Sequence, residues 1–140
     1  MRDYYLERNR KAIAIADEIW NGRVYTFEKL VPSMLDEQAA GVYIIATIEK
    51  NEVLYVGRTT NIRRRLYTNH LQGNKSTARL KKYLVEDSEY PDITSMEEAK
   101  IWLKKHCYFK FIERDDYRER GQIEGVLGYM FHVKYIENEH

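Results

Sequence analysis

Two tripeptides, Gly41-Val42-Tyr43 and Tyr55-Val56-Gly57, set two tyrosines twelve positions apart, and a run of cations follows them: Arg58, Arg63, Arg64, Arg65, Lys75, Arg79, Lys81 and Lys82. No acid interrupts the chain from Val53 to Val85. From Glu86 onward thirteen acids accompany eight basic residues, so a chain of net charge +1 carries one strongly electropositive stretch. Guanidinium forks suit phosphate oxygens. A lone carboxylate suits Mg²⁺, which keeps several waters and takes further oxygens from substrate phosphates. Phosphodiester hydrolysis asks for an oriented water, neutralised phosphate charge and help for the leaving oxygen. Each residue also has a plainer reading. Tyr43 and Tyr55 also read as strand tyrosines, and the arginines as a solvated helix face.

Such groups need elements to hold them. Val42, Ile44, Ala46 and Ile48 alternate with Tyr43, Ile45 and Thr47, and residues 53–58 form a second β-branched run, so the tripeptides bracket a hairpin around Glu49-Lys50-Asn51-Glu52. Both faces are apolar, which predicts a sheet covered on two sides. Thr60 or Asn61 caps a helix over 62–71, with Ile62 and Leu66 toward the sheet, Arg65 at the border of that face and Arg64 turned away. A short helix follows over 76–86. Ser95-Met96-Glu97-Glu98 is a capping box that opens another, residues 107–113 alternate as a strand, and Asp115 or Asp116 starts a last helix carrying Ile123, Val126, Leu127 and Met130 inward. Ahead of the hairpin, residues 3–21 have helical spacing, and residues 23–28 are a weaker strand candidate. The fold class is α+β, an α/β sandwich: a small, mainly antiparallel three-stranded sheet flanked by helices, with an extra N-terminal helix.

The hairpin register follows from parity. Side chains alternate along a strand and paired residues share a face. An even-numbered loop therefore puts Tyr43 and Tyr55 on opposite faces and an odd one puts them together. A three-residue loop over Glu49-Lys50-Asn51 places Asn at the left-handed position that it tolerates best. That predicts positive φ at Asn51, or an equivalent bulge, and both tyrosines on one face near Arg65.

Composition narrows the classes. A single cysteine, Cys107, excludes an internal disulfide framework and Cys-based zinc sites. No long apolar run provides a membrane span, and the first residues do not read as a signal peptide, so the cytoplasm is the expected compartment. His106, His132 and His140 have no metal-ligand spacing.

With these motifs in order, the chain resembles the GIY-YIG endonuclease superfamily from about Gly41 to Asn138. Gly41-Val42-Tyr43 and Tyr55-Val56-Gly57 match its two tripeptides, Arg65 falls at its arginine and Glu124 at its metal-binding glutamate. His70 lies near a position where many members carry histidine, often one residue earlier, and Asn138 loosely matches a terminal asparagine. The resemblance implies a metal-dependent endonuclease that hydrolyses DNA: residues 1–40 as a helical extension packed on a nuclease domain over 41–140. It implies Tyr43 as the base toward water, Tyr55 and Arg65 on the phosphate, His70 as a further site residue, and Glu124 holding Mg²⁺ or Mn²⁺; the plainer reading of Glu124 is a surface acid, with Glu119 the fallback ligand. A phenol of pKa near ~10 acts as a base only among cations. Arg58, Arg63, Arg64, Lys75, Arg79 and Lys82 are the expected nucleic-acid contacts, Lys75 reading equally as a surface lysine. The expected partner is nucleic acid, most readily DNA, with no membrane, and the N-terminal helix leaves room for a homo-oligomer. The alternatives are a non-catalytic nucleic-acid-binding module of the same fold and an oligomerising interaction domain.

Overall fold

Two apolar, alternating segments lie side by side at the centre of the molecule, and the rest of the chain is laid against them. The computed structural model describes residues 1–137, so Asn138 lies outside the described residues. The elements are α1 (Arg2–Trp20), β1 (Tyr25–Thr26), β2 (Gly41–Thr47), β3 (Val53–Thr59), a π-helix (Arg64–Leu71), α2 (Arg79–Glu86), α3 (Met96–His106), β4 (Cys107–Glu113) and α4 (Tyr117–Met130). The strands form one antiparallel sheet in the order β1-β4-β2-β3.

The sheet thus has four strands, which corrects the three-stranded expectation. The extra strand has two residues, too few for an alternation to show. What holds it is aromatic: the Tyr25 ring stacks on Phe109 at 5.2 Å and lies 5.5 Å from Phe111.

Both faces of the sheet are covered. On one, Tyr43, Ile45, Leu54, Tyr55 and Phe109 pack with Ile62, Leu66 and Leu71, with Leu80 and Leu84 of α2, and with Ala99 and Leu103 of α3. Phe27, Leu30, Leu35 and Ala39 enter the same core. On the other, Val42, Ile44, Ala46 and Ile112 meet Ala16 and Ile19 of α1 and Ile123 and Leu127 of α4. The helix starts follow their caps. Asn61 Oδ1 accepts from Arg64 N, Ser95 Oγ from Glu98 N, and Asp116 Oδ2 from Glu119 N, at 3.0, 3.1 and 3.0 Å. α1 begins at Arg2 without a side-chain cap. Only the later turns of α1 pack down, tied by Arg114 to Glu18 at 2.6 Å, and Met1, Tyr4, Tyr5 and Leu6 stay exposed.

The hairpin keeps the predicted parity by another route. Ile45 pairs with Tyr55 but Ala46 pairs with Val53, so Leu54 is a bulge. The connection then runs Ile48–Asn51, closed by Thr47 N donating to Glu52 O, and Asn51 takes φ 54°. One extra residue in the turn and one in the bulge cancel. Val53 falls into the second core, while Leu54 and Tyr55 fall into the first.

β3 is an edge strand, and the segment after α4 closes it: Lys134 N and Tyr135 N donate to Val53 O and Leu54 O, both at 3.1 Å. Among the described residues, no helix is long and apolar enough to cross a membrane.

Candidate active site

Tyr43 pairs across the hairpin with Gly57, and the pairing explains the glycine. A Cβ on Gly57 would sit 2.3 Å from the Tyr43 hydroxyl and 2.5 Å from Cζ, so the ring lies directly over bare backbone. Gly41 answers a second close approach, with Ile112 O 2.0 Å from where its Cβ would be. Neither glycine has positive φ. The motif glycines are there for space, not for unusual dihedrals.

With the register set, the two tyrosines share a face. Their rings stack at 6.1 Å and 15°. Arg65 joins them: Nε donates to the Tyr43 hydroxyl at 3.1 Å, one Nη to the Tyr55 hydroxyl at 3.3 Å and the other to Thr77 O at 3.2 Å. Thr77 has no signal in the sequence, because its carbonyl does the work. Its segment is placed by turn bonds around Asn74, whose N–H meets Thr77 Oγ1 and whose carbonyl accepts from Ala78 N.

His70 completes the group. Its Nε2 lies 2.8 Å from the Tyr43 hydroxyl, and its ring stands edge-on to both tyrosines. Arg65 and His70 are five residues apart, a separation that an α-helix would splay onto different faces. Here the helix is of π type, whose i→i+5 bonds set such residues one above the other, and Gln72 N donates to Tyr67 O in that pattern. His70 is fully buried, and burial lowers its pKa well below 6.5, with the charges of Arg65, Lys81 and Arg79 acting the same way. The imidazole is therefore neutral. Arg65 can only donate, so the acceptor for the Tyr43 hydroxyl proton is His70 Nε2, which assigns the ring proton to Nδ1. Among the described residues that N–H is buried without a partner, a cost of about 1–3 kcal/mol.

The same burial gives a stability prediction. Unfolded, His70 takes up a proton near pH 6.5; folded, it does so only far below. Between those points the unfolded chain binds more protons, so acid favours unfolding. Above pH 6.5 neither state is charged and the term vanishes. Urea midpoints should fall from pH 6.5 toward 5 with up to about 1.4 kcal/mol per pH unit from this residue, and His70→Gln should flatten that limb. An unchanged slope in the variant would contradict the assignment.

Tyr43 is fully buried as well. Burial pushes its phenol far above the ordinary 10, the Tyr55 hydroxyl adds to the rise, and the Arg65 charge and hydrogen bond pull it back only in part. A cationic neighbour is present, as a basic tyrosine would require, yet desolvation is the larger effect, and Tyr43 rests as a neutral phenol.

Glu124 comes from the opposite side of the sheet. α4 covers the other face but runs beside β3, so Glu124 reaches round the sheet edge, where it lines a cavity together with Tyr55. It is half-buried. Burial raises its pKa above 4.5, and the charges of Arg58, Arg65 and Arg79 oppose the rise. Arg58 Nη1 lies 2.1 Å from where a Gly121 Cβ would be, so that glycine gives the guanidinium its seat on α4. Arg58, Thr59, Thr60, Arg65 and Tyr117 then line a groove of about 450 Å³. Arg120 anchors its floor by donating to Arg114 O and Asp115 O, a role with no local signal.

No group of three His, Cys, Asp or Glu side chains gathers among the described residues. One carboxylate amid three arginines fits a hydrated Mg²⁺ that draws its other oxygens from waters and a bound phosphate, and does not fit a cation held by protein alone. Glu119 does not share this place; its carboxylate accepts from Arg114 at 3.2 Å, and it lines a groove against α1.

The expected nucleic-acid contacts divide. Arg58 and Arg79 flank Glu124, whereas Arg64, Lys75 and Lys82 are exposed around the helices. Arg63 is not free: it donates to Leu35 O and Glu37, both at 2.9 Å. Lys81 is buried and donates to Leu71 O at 2.8 Å, closing the end of the π-helix.

A four-stranded antiparallel sheet bearing paired tyrosines, an arginine and a histidine, with a glutamate brought round its edge, makes a site suited to a phosphodiester. The chain belongs to the GIY-YIG family: the family profile for the GIY-YIG catalytic domain matches residues 39–123. The matched span holds Tyr43, Tyr55, Arg65 and His70 and stops one residue short of Glu124. Membership supports a nuclease-type function and a nucleic-acid substrate in general. No curated protein and no solved structure matches the chain.

Proposed function

We propose that this protein is a metal-dependent endonuclease that hydrolyses phosphodiester bonds in DNA. The observation that carries the proposal is the convergence of Arg65 and His70 on the Tyr43 hydroxyl, with Arg65 also holding Tyr55, beside the carboxylate of Glu124. Arg65 binds the scissile phosphate and holds both phenols. Tyr55 presents its hydroxyl to a phosphate oxygen. Because Tyr43 rests neutral, with its proton held toward His70 Nε2, it acts on an attacking water by accepting a hydrogen bond from it, which orients that water. Glu124 holds Mg²⁺ or Mn²⁺, which when bound supplies Lewis-acid stabilisation of developing charge. Arg58 and Arg79 bind flanking phosphates, with Arg64, Lys75 and Lys82 as outer contacts. Supercoiled plasmid incubated with protein and Mg²⁺ should be nicked or linearised, and EDTA should stop it. Intact plasmid in both, with binding retained, would favour a non-catalytic binding module.

Gly57→Ala tests the positioning without touching a reactive group. The added methyl must displace the Tyr43 hydroxyl, and misplacing a reacting group by about 1 Å costs ~10²-fold. The expected result is that loss in kcat with a folded circular dichroism spectrum. Wild-type kcat would show that the Tyr43 position is immaterial.

A further inference from the structure

We infer that the cavity on the far side of Glu124 receives an unpaired nucleobase of the substrate strand, which makes the enzyme selective for cutting beside single-stranded or branched DNA; the inference rests on the nuclease reading above. The two sides of Glu124 differ in chemistry. One is the cationic groove of Arg58 and Arg65, fit for phosphate. The other is a cavity of about 510 Å³ walled by Tyr83, Tyr129, His132 and Tyr135. Among the described residues its one cation is Arg79, which lies 3.9 Å from Glu137 and, being half-exposed, serves the phosphate that flanks the base rather than the base itself. Aromatic walls beside a carboxylate are wrong for a phosphate and right for a base, which stacks on ring faces and is tolerant of sequence. The volume falls within the usual range of ligand pockets, about 300–1,000 Å³.

The walls are built, not incidental. Tyr83 and Tyr135 stack at 5.5 Å and 20°. The Tyr135 hydroxyl donates to Asp87 at 2.6 Å, and neighbouring Lys134 pairs with Glu89 at 2.6 Å. His132 sits at φ 50° at the end of α4, a left-handed position where glycine is the usual occupant. Tyr129 is 89% exposed on the cavity rim. The floor gives an independent sign. Gly125 lies in the middle of α4, where glycine is a poor helix former, yet a Cβ there would meet nothing within 4 Å. Among the described residues no atom requires that glycine; it lines the cavity and leaves space there.

The test uses the full chain in EDTA, so that nothing is cut. The probes are a short DNA duplex with 2-aminopurine in a single-stranded overhang and the same duplex with 2-aminopurine paired. The overhang probe should bind about tenfold tighter or more, with its fluorescence quenched by stacking. Tyr129→Ala and Gly125→Leu should each remove the preference and the quenching, and Gly125→Leu should melt no lower than wild type. Equal binding of both probes by wild type, or unchanged quenching in Gly125→Leu, would overturn the inference. Plasmid cleavage in Mg²⁺ by the same preparations separates the two readings. Cleavage without a preference for the overhang overturns the base site alone. Quenching that is lost in the variants of a protein that never cleaves supports the base site and overturns the nuclease.

Discussion

Glu124→Ala should lower Mg²⁺-dependent cleavage by about 10³-fold or more, the several kcal/mol that a Lewis-acid metal supplies, while leaving DNA affinity at or slightly above the wild-type value. The sign of the binding effect follows from the surroundings. Glu124 is an acid among Arg58, Arg65 and Arg79, so its removal leaves the cations in place and takes away a repulsion toward phosphate. The same cations weaken Mg²⁺ binding to the free protein, so titration with Mg²⁺ alone should show weak binding that tightens when DNA is present. Glu119 does not stand ready to substitute, since it is held by Arg114 near α1, and Glu137, which lines the same cavity as Glu124, lies 3.9 Å from Arg79. Plasmid nicking together with fluorescence anisotropy checks both halves. Undiminished cleavage by the variant would remove Glu124 from the metal site, and lost binding would mean that it supports the fold.

The sequence was most informative where a local rule governs. Parity ties a shared face for Tyr43 and Tyr55 to an odd offset, and Asn51, which tolerates the left-handed conformation, is what selects that offset. Parity does not say where the odd residue goes. The structure divides the change between a longer turn and a bulge at Leu54, and only burial of Leu54 against the helices distinguishes that from a three-residue loop. His70 shows the opposite case. Five residues after Arg65 it belongs on another face of an α-helix, and nothing in residues 64–71 marks a π-helix by composition. The wider helix becomes visible only when both side chains are seen on the same tyrosine. The tie of Arg63 was illegible, and β1 was visible only as the weaker candidate at 23–28, for a related reason. Glu37 lies 26 residues before Arg63 in a loop, and Tyr25–Thr26 is held by the rings of a strand more than eighty residues later.

Arg65→Ala should reduce cleavage by ~10²-fold or more, the scale of losing a preorganised donor to developing charge, whereas Arg64→Ala should fall within a few-fold of wild type. Adjacent in sequence, the two arginines differ in what they hold. Arg64 is exposed, and its backbone N–H, untouched by the substitution, takes the Asn61 cap. Arg65 is half-buried and spends three N–H bonds on Tyr43, Tyr55 and Thr77 O. A guanidinium has five, so one remains on each Nη, enough for a forked bond to a phosphate. The Ala variant therefore loses the phosphate contact and the alignment of both phenols at once. Arg65→Lys separates the two losses: it keeps the charge without the fork, and should recover binding while leaving kcat low. Thermal melting of each variant must show a folded protein for the comparison to count. Equal and mild losses at Arg64 and Arg65 would mean that both merely hold the DNA backbone, and the shared role of the two tyrosines would have to be abandoned.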